Sequence, residues 1–240
     1  MTLTEQRPVK ASRRWALPDP VLLTVLSFGT GFLDALTYLG LDRIFGANMT
    51  GNLILVGIGI TGDPGQLIHP LVAILSFCVG SMLAGTCNRL LEARKRGSPA
   101  PRMLFLATGV LLAASAVLAA LDVDGSLGLV VTALIGVAMG CQGLAARLLG
   151  VPEINTVVVT STLSQFFAEV GSGRAWRKRR ISGRQIAAIA SMLAGAVIGA
   201  AVVPFAGLAA LAFPSALVLI MALFCRRLDS KTSDASMYVR

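Results

Sequence analysis

Charge is scarce in this sequence. Only 14% of its 240 residues are Asp, Glu, Lys or Arg, while 55% are hydrophobic, and the mean hydropathy is +0.77. Soluble domains carry about a quarter of their residues as charges, so an ordinary water-soluble domain is excluded. Histidine occurs once, as His69, at a loop edge where a solvated role is expected. With no His/Asp/Glu cluster and no serine with a buried base partner, no catalytic residue, metal or cofactor is expected, and an enzyme is disfavoured. The four cysteines, Cys78, Cys87, Cys141 and Cys225, show no CxxC spacing. They read as small apolar packing residues rather than a disulfide framework or metal site. No GxxxxGK[ST] occurs, which argues against direct ATP drive within the chain. Strict apolar/polar alternation is missing too, so a β-barrel is disfavoured.

What the sequence has is long apolar runs rich in Leu and Ala. Several approach the roughly 20 residues needed to cross a bilayer core as a helix. An all-α, multi-pass membrane protein follows. Residues 1–20 form a polar tail with Trp15 as an interfacial anchor. The tail lacks a convincing small-residue cleavage site, so the first run reads as a retained helix. The membrane domain covers 21–225, and 226–240 is a second polar tail. Six full spans are expected at Val21–Leu41, Pro70–Leu91, Met103–Leu121, Leu127–Leu149, Gln185–Val203 and, after Pro204, Leu208–Cys225. Two shorter runs, Asn48–Ile60 and Asn155–Val170, read as broken or re-entrant segments.

The net charge of +9 sits just outside the apolar runs. Arg7 to Arg14, Arg89 to Arg102, Arg174 to Arg184 and Arg226 to Lys231 all flank them. This is the positive-inside pattern of cytoplasmic loops, and such loops meet anionic lipid heads. Nucleic acid is not an expected partner, because no aromatic-interleaved basic surface accompanies the charge. Both termini and both central basic loops then lie in the cytoplasm, with the chain in a cell membrane.

An internal repeat is also visible. Ser81-Met82-Leu83-Ala84-Gly85 recurs as Ser191-Met192-Leu193-Ala194-Gly195, a separation of 110 residues. The same separation pairs Ala35 with Ala145, Gly40 with Gly150, Thr50 with Thr160 and Leu53 with Leu163. Repeats at about 21–121 and 127–225, each with three full crossings, would be inverted relative to one another, an architecture common among transporters. Eight crossings in parallel copies is the rival, and it would place loop 92–102 opposite both tails. Ser81-x-x-x-Gly85 and Gly195-x-x-x-Gly199 read as close helix packing, between repeats or in a homo-oligomer.

Polar residues at membrane depth are costly and mark functional candidates. Asp34, within the first span, is a candidate proton- or cation-coupling group; the alternative is a structural acid bonded to a neighbouring helix's backbone or to Tyr38, one turn on. Asn48, Thr50 and Asn52 alternate around Met49 and Gly51 at the head of the short run. They suit either a polar solute or the capping of a helix that starts inside the membrane. Thr156, Thr160 and Thr162 form the corresponding band in the second half. Gln142 is placed either to face Asp34 across the repeat interface or to bond another helix, and Arg147 to snorkel to the surface.

GFLDALTYL, NMTGNLILVG and GCQGLAARLLGVPEINTVVVTSTL resemble the YoaK-like family of small bacterial integral membrane proteins, a domain of unknown function. The resemblance spans roughly Pro20 to Cys225 and implies a multi-pass membrane protein of bacterial type; it carries no substrate or catalytic residues. From the residues themselves, the expectation is a small-solute transporter or channel-like permease. Its polar site would lie between the two short segments, with coupling at Asp34. A non-transporting scaffold, docking partners through its basic loops, is the alternative.

Overall fold

In the computed structural model, residues 19–93, 101–121, 126–148 and 179–223 are described, with isolated helical positions at 164, 167, 168 and 171. Among the described residues all regular structure is helical: α1 (Asp19–Gly40), α2 (Met49–Thr61), α3 (Ile68–Ala93), α4 (Pro101–Leu121), α5 (Ser126–Leu148), α6 (Arg179–Ala206) and α7 (212–223). Short 3-10 turns occupy Pro64–Gln66 and Gly207–Leu211. Long Leu- and Ala-rich runs become helices because a helix satisfies its backbone within its own segment, as hydrocarbon requires. Pro101 opens α4, where its missing N–H costs nothing. Most of the expected segment Asn155–Val170, including Thr156, Thr160 and Thr162, lies outside the described residues, as do Glu169 and most of both expected tails.

Among the described residues four stretches are long and apolar enough to cross a membrane: Ile68–Leu90, Pro101–Leu121, Leu127–Leu148 and Ile186–Leu223. The last, at 38 residues, would measure about 57 Å if straight, nearly twice a hydrocarbon core of about 30 Å. It is in fact two helices. Along α6, Ser191 bonds the Thr24 carbonyl, while Gly195 and Gly199 press on the carbonyls of Phe28 and Phe32. The contacts with α1 therefore climb toward its C-terminal end. After the turn, Leu208 covers Gly40, Phe213 meets Phe32 at 5.0 Å, and Leu217 meets Gly29, so they descend again. The reversal comes at Gly207, whose φ of +52° is a left-handed conformation that glycine adopts at no steric cost. Pro204 was expected to end the preceding helix; α6 instead continues through it to Ala206.

Two apolar clusters set the direction of each helix. One gathers Phe32, Leu36, Ile44, Ala73, Leu112, Ala119, Val131 and Leu208. The other gathers Leu22, Leu26, Ala84, Leu104, Phe105, Ala145, Val218 and Met221. Six helices run between these layers in alternating directions; α2 does not. Its 13 residues reach about 20 Å, and the connection holding it leaves and returns at one layer. Asp42, just past α1, lies 2.8 Å from His69 in the first turn of α3.

The principal pairs are α1 with α6 and α3 with α5, each running parallel. Both are closed by glycines set against backbone. Gly31 abuts the Met192 carbonyl and Gly195 the Phe28 carbonyl; in the other pair Gly140 abuts the Phe77 carbonyl and Gly80 the Val137 carbonyl. This corrects the repeat's register. Gly85 has nothing near its Cβ position, so Ser81–Gly85 is not the packing counterpart of Ser191–Gly195. Ser76–Gly80, five residues earlier and with the same S-x-x-x-G pattern, makes the equivalent contact.

A β-carbon and branch at Gly195 have no room beside backbone, whereas Gly85 is open. Gly195→Val is expected to destabilise the detergent-solubilised protein by about 1–3 kcal/mol or more. Gly85→Val should cost well under 1 kcal/mol, and equal losses in thermal unfolding of the two variants would refute this packing.

Candidate functional site

The polar knot is built where α1 hands over to α2. Asp42 and Arg43 take left-handed conformations (φ of 45° and 56°) that break α1 and turn the chain back down its own side. Phe45 to Asn48 then run as irregular backbone beside the last turns of α1. Irregular backbone at membrane depth must be satisfied from outside itself, and side chains do this residue by residue. The Phe45 N–H donates to Asn52 Oδ1 (2.9 Å) and the Gly46 N–H to Thr37 Oγ1 (2.9 Å). The N–H groups of Ala47 and Asn48 both donate to Asp34 Oδ1 (2.6 and 3.2 Å).

The remaining partners follow from the same logic. Asn52 is fully buried, and its Nδ2 donates back to the Phe45 carbonyl at 2.7 Å, so one amide clamps both polar groups of one residue. Asn48 N-caps α2, accepting from the Gly51 N–H at 3.0 Å, the usual satisfaction of an orphan donor in a first turn. Gly46 and Gly51 leave room for Leu33 and for the Phe45 ring, respectively. Tyr38 was the expected helical partner of Asp34; it instead stacks on Phe45 at 5.0 Å. Thr50 is exposed. Asp34 is 7% exposed, and its second carboxylate oxygen has no hydrogen-bond partner among the described residues.

Gln142 is not with this knot. It lies on α5 and lines a small cavity with Thr30, Leu33, Leu112, Met139 and Pro214; Asp34 is not part of that lining. Arg147, exposed in the last turn of α5, is free to snorkel as expected. His69 departs from its expected solvated role. Its side chain is 13% exposed, with Nε2 on Asp42 and Nδ1 3.0 Å from Thr132 Oγ1. One imidazole thus ties the ends of α1 and α3 to α5. A lone histidine beside Pro70 gave no pattern from which that link could be read.

The interior sets polar side chains among its apolar clusters, while many large apolar side chains face outward. Ser27, Thr30, Asp34, Thr37, Asn52, Thr108, Ser115, Thr132, Gln142 and Ser215 are buried, while Leu53, Ile54, Ile60, Val110, Val117, Leu193 and Phe205 are exposed. Comparison with known proteins agrees. The family described as "Protein of unknown function (DUF1275)" matches residues 22–224. The chain belongs to this YoaK-like family of membrane proteins. It is 31% identical over 163 residues to the "UPF0700 transmembrane protein YoaK" of Bacillus subtilis (strain 168), covering 66% of this chain and 70% of that relative. No solved structure matches.

Two predictions follow from the knot. Asn52→Leu strands the N–H and carbonyl of Phe45, each buried orphan costing about 1–3 kcal/mol, so a clear fall in unfolding temperature is expected. Asp34→Asn keeps an oxygen to accept both N–H groups and should be milder than Asp34→Leu; equal losses would show that the hydrogen bonds do not hold the loop. For the Asp42–His69 contact, whose acid is 68% exposed, a double-mutant cycle should give a coupling of only about 0.2–1 kcal/mol.

Proposed function

We propose that this protein is a non-enzymatic small-solute permease, built as two inverted halves of three crossings and one short segment each. The observation that carries this reading is the matched pair of parallel contacts, α1 with α6 and α3 with α5. In each, the first helix of one half pairs with the second helix of the other through the same glycine-to-carbonyl arrangement. The opposite directions of α1 and α5 between the two apolar layers support an inverting relation between the halves. The connection 41–67 leaves and re-enters at one layer, whereas α5 ends and α6 begins in the other, which supports interruptions at opposite faces. That is the arrangement by which inverted-repeat transporters place a solute site near mid-membrane.

Most of the knot is occupied with holding its own loop. Asn48 and Asn52, expected either as solute ligands or as caps of a helix starting in the membrane, are spent on backbone, so in this reading they position α2 and do not contact solute. Asp34 keeps one oxygen free for a proton or cation. The N-terminal and C-terminal tails lie in the cytoplasm of a bacterial cell, where the basic loops meet anionic lipid.

Thiol labelling in a cysteine-free background tests the inversion. Thr50→Cys should react with a membrane-impermeant reagent from outside and Thr162→Cys from the cytoplasmic side; reaction of both from the same side would sink the inverted architecture. In proteoliposomes carrying a pH-sensitive dye, Asp34→Asn should flatten the pH dependence of flux. An unchanged profile would remove Asp34 from coupling and leave it a purely structural acid.

A further inference from the structure

We propose that the cavity lined by α1, α4, α5 and α7 is a binding site for one neutral, water-sized, hydrogen-bonding molecule, held by the amide of Gln142. The cavity measures about 10 Å³ for the centre of a water-sized occupant, close to the minimum for a single water. Gln142 is 4% exposed and its amide has no hydrogen-bond partner among the described residues. A largely buried residue whose amide bonds no described residue is rare in folded proteins, and an ordered water or ligand reaching it is the usual explanation.

The lining decides the chemical class. Among the described residues no charged side chain contributes to it. Gln142 and Thr30 are its only polar side chains among those residues, so it offers two side-chain oxygens, far short of the six or so that strip a hard cation of water. An anion finds no positive charge. An apolar occupant would leave the amide desolvated and unbonded. A molecule that both donates and accepts satisfies the two ends of the Gln142 amide at once. The Thr30 hydroxyl gives its proton to the Ser27 carbonyl at 2.9 Å, which leaves its lone pairs as a further acceptor. Three polar contacts match what buried waters normally make.

Position adds a role. Thr30 sits midway along α1, and the lining straddles the two apolar clusters. Leu33, Leu112 and Met139 belong to one layer, Leu26 and Val218 to the other. The site is therefore the polar station at the seam of two dry layers. Its place on a solute path rests on the permease reading; its ligand class stands on the cavity alone. Charge coupling, where it occurs, belongs to Asp34.

The test uses the full chain in lipid nanodiscs with glutamine side chains labelled by nitrogen-15. The Gln142 signal is assigned by its loss in Gln142→Met, a substitution that keeps side-chain length. Cross-relaxation between that amide and water is expected; an assigned signal without it overturns the site. In parallel, protein-containing liposomes are shocked with sucrose and their shrinkage followed by light scattering. Water flux well above that of protein-free liposomes, lost on Gln142→Met in protein with an unaltered melting curve, supports the station on a path. Flux that survives the substitution overturns that role. Cross-relaxation without any flux upholds the site and overturns the permease reading for water.

Discussion

A backbone N–H inside hydrocarbon has no water to fall back on, and this fold depends on how that demand is met over four residues. Phe45, Gly46, Ala47 and Asn48 each give their N–H to a side chain: Asn52, Thr37 and, for the last two, Asp34. Without those acceptors the chain could not fold back beside α1, and α2 could not begin at that depth. The apolar exterior of α2, with Leu53, Ile54, Ile58 and Ile60 outward, is a consequence of that anchoring, not its cause.

Helix association in lipid lacks the hydrophobic drive that packs soluble cores, so close van der Waals contact and hydrogen bonding have to supply it. Both devices are present here. Glycines bring α1 onto α6 and α3 onto α5 until backbone meets backbone. Hydroxyls then bond carbonyls across helices: Ser191 to Thr24, Ser81 to Gly140, Thr108 to Ala138 and Ser215 to Gly109. Each of these hydroxyls belongs to a residue of low membrane cost, which explains why the chain spends so few charges inside.

Membrane class, helical architecture and family were legible because hydropathy and short motifs report them directly. The polar residues at Asp34, Asn48 and Asn52 were also legible as a cluster, since buried polarity in an apolar run is conspicuous. Which partner each one takes was not. Asp34 bonds the backbone 13 and 14 residues later, a relation set by a left-handed turn at Asp42 and Arg43 that sequence periodicity does not encode. The SMLAG pentamer misled for a related reason: S-x-x-x-G occurs twice in succession on α3, and letter identity chose the copy whose glycine has no neighbour beside it. His69 was invisible as a tie because its partners, Asp42 and Thr132, come from two other parts of the chain.

The pairing of α1 with α6 also has a history in time. During synthesis α1 enters the membrane first, and the glycine-lined face made by Gly31 waits while α2 to α5 are produced. Until α6 arrives, that face meets lipid or transient neighbours. The α3–α5 pair can close earlier, so the bundle is completed around a half-built interior and sealed by its last hairpin. A chain cut before α6 would leave its first helix without the surface it was shaped to meet, a state well suited to recognition by membrane quality control.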